Sequence, residues 1–259
     1  MKLVTWNVNS LTARWERVEE WVQRNEPDVL CLQETKQDDA KFPFEGFAAL
    51  GYEAVHHGEG RWNGVAIASR VGIDEVRRGF GTKEDADGAR MIAAVCGGVE
   101  VVCCYVPNGR ALDDPFYVKK LAWLDALAAD VGHVDADRAL AVVGDFNVAP
   151  ADLDVWDPAA LEGSTHVTPP ERDRVAALCA LGLVDVIRST HGDEQLFTWW
   201  DYRNGAFHRG FGMRIDLVLC SARILDGVER AYVDREARKG QKPSDHAPVV
   251  VDFKLTAPR

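Results

Sequence analysis

Ala141-Val142-Val143-Gly144-Asp145-Phe146-Asn147-Val148-Ala149-Pro150 is the stretch on which the reading of the fold turns. Leu140 to Val143 is an apolar run of the kind a buried strand makes, Gly144 interrupts it, and Pro150 closes the loop that follows. Asp145 and Asn147 stand two residues apart. In extended chain such residues point the same way, so a carboxylate and an amide project together from the end of a core strand. Ends of buried strands are where open α/β sheets place ligands. An Asx turn is the local alternative, because Asp and Asn both favour it. Recurrence of the same arrangement along the chain tips the balance toward a site.

Toward the N-terminus, Lys2–Asn9 reads as the first strand, with Asn7 and Asn9 on one face at its carboxyl end. A helix with Leu11, Trp15, Val18 and Val22 on one stripe stops before Pro27, and Asp28–Gln33 forms a second strand with Glu34 at its end. Such a β-α-β unit predicts a parallel pair joined by a right-handed crossover, which sets Asn7 beside Glu34 at one sheet edge. Taken alone, Glu34 also reads as a helix N-terminal acid. Tyr52–His57, Gly64–Ser69 and Gly72–Arg78 read as antiparallel strands joined by Gly-rich turns. Arg90–Cys96 and Val99–Tyr105 flank Gly97-Gly98, a hairpin signal, and deliver Tyr105 into Val106-Pro107-Asn108-Gly109-Arg110. A helix follows, with Tyr117, Leu121, Leu124, Ala128 and Val131 on one stripe, and leads into the central strand.

Toward the C-terminus, Thr168-Pro169-Pro170-Glu171 is a capping box with Pro at the first helical position. Phe197–Tyr202 is an aromatic strand whose paired Trp199-Trp200 puts one ring on each face. A polar loop from Arg203 to Gly212 precedes Met213-Arg214-Ile215-Asp216-Leu217-Val218-Leu219. Lys242-Pro243-Ser244-Asp245-His246-Ala247 precedes the last strand, Pro248–Leu255. No linker, short repeat or low-complexity tract divides residues 1–259, which predicts one domain. Asn7-Val8-Asn9 echoes Asp145-Phe146-Asn147, so two β-rich halves packed sheet on sheet would bring both loops to one rim.

The 259 residues are 47% hydrophobic and 27% charged, an ordinary soluble composition. No apolar run approaches the ~20 residues of a membrane span, and the start of the chain lacks the apolar region of a signal peptide. The six cysteines lack metal spacing and read as reduced core residues, which predicts a cytoplasmic protein; Cys103-Cys104 reads as strand filling. The net charge of −11 argues against non-specific polyanion binding as the main activity. Glu84-Asp85-Ala86-Asp87 and Asp152-Leu153-Asp154 read as solvated loops.

Asp216 lies inside an apolar strand, where a carboxylate is costly unless paired. Asp245 is the sequence neighbour of His246, but neighbours in extended chain point to opposite faces. Asp216 is therefore expected to orient His246, with Asp245 pointing elsewhere. Oxygen donors such as Glu34, Asp245 and Asn7 suit Mg²⁺ or Mn²⁺ rather than zinc, and few protein ligands are what Mg²⁺ takes when a phosphate supplies the rest.

Trp6-Asn7-Val8-Asn9, Gln33-Glu34-Thr35-Lys36, Tyr105-Val106-Pro107-Asn108, Gly144-Asp145-Phe146-Asn147, Arg214-Ile215-Asp216 and Ser244-Asp245-His246-Ala247-Pro248 follow one another as in a known family. Over nearly its whole length the chain resembles the exonuclease III family of apurinic/apyrimidinic endonucleases, within the endonuclease/exonuclease/phosphatase superfamily. The resemblance implies a four-layer α/β sandwich with two central mixed β-sheets flanked by helices. It implies Glu34 as the main metal ligand, Asn7 beside it, and Asp245, Asp145, Asn147 and His246 at the metal site. Asp145 would orient or deprotonate the attacking water. Asn147, His246 and Tyr105 would contact the scissile phosphate, and Asp216 would hold His246. Asn108 and Arg110 would contact DNA, while Trp199, Met213 and Ile215 would wall a pocket for a flipped-out abasic sugar. Met213 and Ile215 share a strand face opposite Asp216, so that pocket needs a bend near Gly212.

The expected activity is Mg²⁺-dependent hydrolysis of duplex DNA 5′ to abasic sites, with 3′-5′ exonuclease action and trimming of blocked 3′ ends, by a monomer without membrane attachment. Mn²⁺ would substitute for Mg²⁺. The alternative is a phosphatase or phosphodiesterase of the same superfamily acting on a non-DNA phosphoester, which the acidic charge suits better. A binding module that keeps only the fold ranks last, because every expected polar position is filled.

Overall fold

Consecutive apolar residues in a strand face opposite ways, and in this chain both faces are covered. Leu3, Cys31, Val101, Cys103 and Val143 point into the space between two sheets. Their neighbours Val4, Leu32, Val102, Cys104 and Val142 point outward beneath helices. Continuous apolar runs are thus the requirement of strands buried on both sides. The computed structural model describes residues 1–80, 88–135 and 137–255.

The chain opens with β1 (Lys2–Asn7), α1 (Leu11–Asn25), β2 (Val29–Gln33), α2 (Phe44–Ala49), β3 (Glu53–His57), β4 (Val65–Ser69), β5 (Asp74–Arg78), β6 (Met91–Cys96) and β7 (Val99–Tyr105). It continues through α3 (Pro115–Val131), β8 (Leu140–Asp145), α4 (Pro169–Ala180), β9 (Leu183–Asp185), α5 (Val186–His191), β10 (Trp199–Trp200), α6 (Ala206–Arg209) and β11 (Gly212–Met213). β12 (Asp216–Ser221), α7 (Ala222–Leu225), β13 (Val228–Val233) and β14 (Val249–Phe253) complete it. One six-stranded sheet has the order β13-β14-β1-β2-β4-β3, the other β5-β6-β7-β8-β12-β9, and β10-β11 form a short ribbon. Each six-stranded sheet is mixed, with one parallel pair, β1–β2 or β7–β8. Val18, Trp21 and Val22 of α1 and Phe47 of α2 cover the first sheet, while Trp123, Leu124 and Leu127 of α3 and Leu178 of α4 cover the second. The four-layer sandwich expected from the sequence is the observed architecture.

Register places the polar residues. Asn7 pairs with Gln33 in the parallel ladder, so Glu34 follows directly beside Asn7. Tyr105 pairs with Asp145, and Asp145 with Asp216, which sets three polar side chains in one row across the second sheet. Gly144 is required in that row. Its φ is +144°, and a Cβ there would lie 1.9 Å from the Cys104 carbonyl oxygen.

Several expectations are corrected. The first strand ends at Asn7, not Asn9, because Asn9 and Ser10 turn into positive φ. β5 does not continue the β3–β4 meander but crosses to pair with β6 in the other sheet. The halves of the chain do not each make one sheet, since β14 returns to pair with β1 and β13 pairs with β14. Only Trp199–Trp200 of the aromatic segment is strand, and the loop before Gly212 contains α6. Asp152-Leu153-Asp154 is not a solvated loop, because Asp154 is fully buried against Arg214. Glu84-Asp85-Ala86-Asp87 lies outside the described residues.

Candidate active site

One amide bridges the two sheets at their shared rim. Asn7 Nδ2, at the end of β1, donates to Glu34 Oε1 (2.8 Å) and to Asp145 Oδ2 (2.9 Å). Its Oδ1 accepts from the Asn9 backbone (2.9 Å). Glu34 is held at φ +52°, and its other oxygen pairs with Lys36 Nζ at 2.8 Å. Asp145 Oδ1 accepts from the Asn147 backbone N–H (2.9 Å). The Asx turn therefore forms, and it leaves the second carboxylate oxygen free to meet Asn7.

His246 follows the parity argument. Its Nδ1 lies 2.9 Å from Asp216 Oδ2, and its Nε2 lies 3.8 Å from Asp145 Oδ2. Asp245 turns the other way, accepting from Asn9 Nδ2 (3.0 Å) and Trp199 Nε1 (3.1 Å). Ser244 Oγ donates to the Asn7 carbonyl (2.6 Å) and fixes the loop. Burial pulls the imidazole down, but the Asp216 and Asp145 carboxylates outweigh it and hold His246 up at about 10. Burial pushes Asp145 up to about 7, with the His246 charge opposing and Asp216 and Glu34 adding to the rise. Burial, then Glu34 and Asp145, hold the Tyr105 hydroxyl well above its usual range, while the Arg90 guanidinium stacks 4.6 Å from its ring centre.

Asn147 sits at φ +51°, not in extended chain. Its Nδ2 donates to the Val106 carbonyl (2.9 Å), and its Oδ1 accepts from Asn108 Nδ2 (3.2 Å). His166 Nε2 is 3.1 Å from both Asn147 Oδ1 and Asn108 Nδ2. Burial, then the Lys120 charge, hold His166 down at about 3, so it is neutral. Arg110 meets this cluster only through its backbone N–H, which donates to Asn108 Oδ1 (3.1 Å); its guanidinium stacks 3.6 Å from the Phe116 ring centre. Trp199, Met213 and Ile215 do converge, packed with Ala149 and Val155. Gly212 lies within β11, and the strand is interrupted at Arg214–Ile215 before β12.

His166, Thr198 and Lys120 are site neighbours that the sequence reading missed. Thr198 Oγ1 accepts from the backbones of Ile215 and Asp216 (3.1 Å each) and so fixes where β12 starts. None of the three stands in a motif, and each arrives by tertiary folding of a loop or helix.

The endonuclease/exonuclease/phosphatase family model matches residues 4–246. Exodeoxyribonuclease III of Haemophilus influenzae is 32% identical, over 98% of this chain and 100% of its own length. The structure of an AP endonuclease from Archaeoglobus fulgidus superposes with a TM-score of 0.95 at 37% identity, covering 98% of this chain and 100% of that one. A 3′ phosphatase from Neisseria, solved with a product DNA hairpin, gives 0.94 at 39% identity, over 98% and 99% of the two chains. With its strand-end carboxylates bridged by Asn7 and its His246–Asp216 pair in register, the chain belongs to the endonuclease/exonuclease/phosphatase family, in its exonuclease III and AP endonuclease branch, and is a nuclease.

Proposed function

We propose that this nuclease is a Mg²⁺-dependent DNA-repair enzyme that hydrolyses the phosphodiester 5′ to abasic sites in duplex DNA. The observation that carries the reading is the bridge from Asn7 to Glu34 and Asp145, which sets two carboxylates next to a His–Asp pair. Ligand atoms of Glu34, Asp145 and His246 lie within 4.8 Å of one another, and hard carboxylate oxygens fit a small divalent cation. Glu34 and Asp145 would hold the ion. Asn7 bridges the two carboxylates, and His246 Nε2 stands 3.8 Å from Asp145 Oδ2. When bound, the ion would neutralise a phosphate oxygen and act as a Lewis acid.

The chain's own residues supply the rest. Asp145 takes a proton from a water whose oxygen bonds to phosphorus while the bond from phosphorus to the 3′ oxygen breaks, and that oxygen leaves as an alkoxide that takes a proton from solvent. The His246 imidazolium, fixed by Asp216, offsets charge that develops on the phosphoryl oxygens. Tyr105 stays protonated and can donate to the same group. Trp199, Met213 and Ile215 form an apolar wall suited to an extruded sugar without a base, which is cheap to unstack. The likeness to a 3′ phosphatase favours a second substrate, 3′-phosphate ends, at the same site.

The test uses three duplexes: one with a single tetrahydrofuran abasic analogue, one nicked with a 3′-phosphate, and one intact. Cleavage 5′ to the analogue, loss of it in EDTA and its return with Mg²⁺ are expected, with no internal cut in the intact duplex. If both modified duplexes survive while p-nitrophenyl phosphate is hydrolysed, the non-DNA phosphoester reading replaces this one.

A further inference from the structure

Beneath the polar rim, α3 and α4 carry a charged pair that the reaction does not touch. Lys120 and Glu171 are both fully buried and ion-paired. Such a pair loses more in desolvation than its attraction returns unless further hydrogen bonds complete it. Here they do. Lys120 Nζ reaches the carbonyls of Asn147 (2.6 Å) and Asn108 (3.2 Å) and Thr165 Oγ1 (3.2 Å). Glu171 accepts from Thr165 Oγ1 (2.7 Å) and the His166 N–H (2.9 Å) through one oxygen, and from Thr168 N (3.0 Å) and Oγ1 (2.7 Å) through the other.

Three segments are thereby tied to one ion pair: the loop after β7 and both ends of the β8–α4 connection. Each contributes one member of the cluster Asn108, Asn147 and His166. Asn147 occupies the left-handed region, a conformation an L residue keeps only where its surroundings impose it. Its carbonyl is the group that Lys120 grips at the shortest of the three non-ionic distances. Gly109 lets the first loop cross the Lys120 stem, because at its φ of +89° a Cβ would lie 3.0 Å from Lys120 Cδ and 2.8 Å from Thr165 Oγ1. An apolar pair of equal volume would hold α3 to α4 as well, but it could not bind the two carbonyls.

We infer that Lys120 and Glu171 are positioning residues, which aim the Asn147 and Asn108 amides at the substrate phosphate by fixing their backbone carbonyls. The inference rests on the reading of Asn147 as a phosphate contact. Its test uses Lys120→Met/Glu171→Gln, with Leu127→Ala, a core substitution on the same helix, as the stability control. On the abasic duplex the double variant should lose about tenfold in kcat, with KM changed less than about threefold and the Mg²⁺ requirement intact. Added to Asn147→Ala it should cost no more than about twofold beyond Asn147→Ala alone, because residues that act as a unit are non-additive. Leu127→Ala should melt lower yet keep its kcat. Without substrate, the side-chain amide resonances of Asn108 and Asn147 should shift in the double variant and stay in place in Leu127→Ala. Glu171→Gln alone is the milder form and should show the same pattern, weaker, if the double variant does not fold. A folded variant with the original kcat, a loss that multiplies with that of Asn147→Ala, or unmoved amide resonances would overturn the inference. If the unsubstituted protein leaves the abasic duplex uncut, the proposed function fails, and the amide resonances still decide the positioning role.

Discussion

Asn7 spends both amide hydrogens on carboxylates from different sheets, so the distance between Glu34 and Asp145 is set by one short side chain. Glu34→Gln keeps that side chain's shape and removes its charge. Activity should fall about a hundredfold and recover in part at raised Mg²⁺ or Mn²⁺, read from initial rates across a metal titration. Unchanged rates and metal dependence would remove Glu34 from the metal site. His246 and Asp216 are buried and bonded at 2.9 Å, and act as one unit in the proposed reaction. Asp216→Asn, His246→Asn and the double variant should each lose about 10²–10⁴-fold. Fully multiplicative losses would show that the two work independently. This pair was legible in the sequence because parity along a strand is a local property: Asp245 and His246 could not face the same way, and Asp216 was the carboxylate that needed a partner.

At the scale of elements, the junction between β11 and β12 is fastened by Arg214. Its side chain is buried, with Nε on Asp154 (2.7 Å) and Nη1 on Asp185 (2.7 Å). Its backbone N–H reaches the Asp154 carbonyl (2.8 Å). That grip fastens the stretch between β11 and β12, from which Ile215 packs with Trp199 and Met213 and Asp216 meets His246. Arg214→Met should cost about 3–5 kcal/mol, since it leaves buried carboxylates short of a partner. Urea unfolding measures it, and hydrogen exchange should rise in residues 151–155 and 212–215. A loss below about 1 kcal/mol would mean that the apolar packing alone holds the junction. The charge run at 152–154 reads as solvated because composition reports charge but not the cation that meets it, which arrives from 60 residues away.

For the molecule as a whole, acid stability offers a check on the packing between sheet and helices. His56, on β3, is buried, stacked on Phe42 and 2.8 Å from Asp39 Oδ1. Burial lowers it from 6.5 to about 4, and Asp39 offsets only part of this. The folded state therefore prefers neutral His56, and the unfolded chain binds the proton first. Its contribution is complete above pH 6.5 and is lost as pH falls toward about 4. By pH 5 the loss should be about 2 kcal/mol. Urea unfolding at pH 8 and pH 5 should show a smaller drop in His56→Gln than in the unsubstituted protein; equal drops would exclude His56 as a source. Residue order alone determined the β-α-β start, the hairpin at Gly97-Gly98, the buried strand at Leu140–Val143 and the carboxylates at strand ends, because periodicity and turn chemistry act between near neighbours. Only the tertiary structure decided that β5 changes sheet, that β14 returns beside β1 with β13 outside it, and that Lys120, His166 and Thr198 stand behind the site, because those contacts depend on which distant surfaces pack together, and no local pattern encodes that.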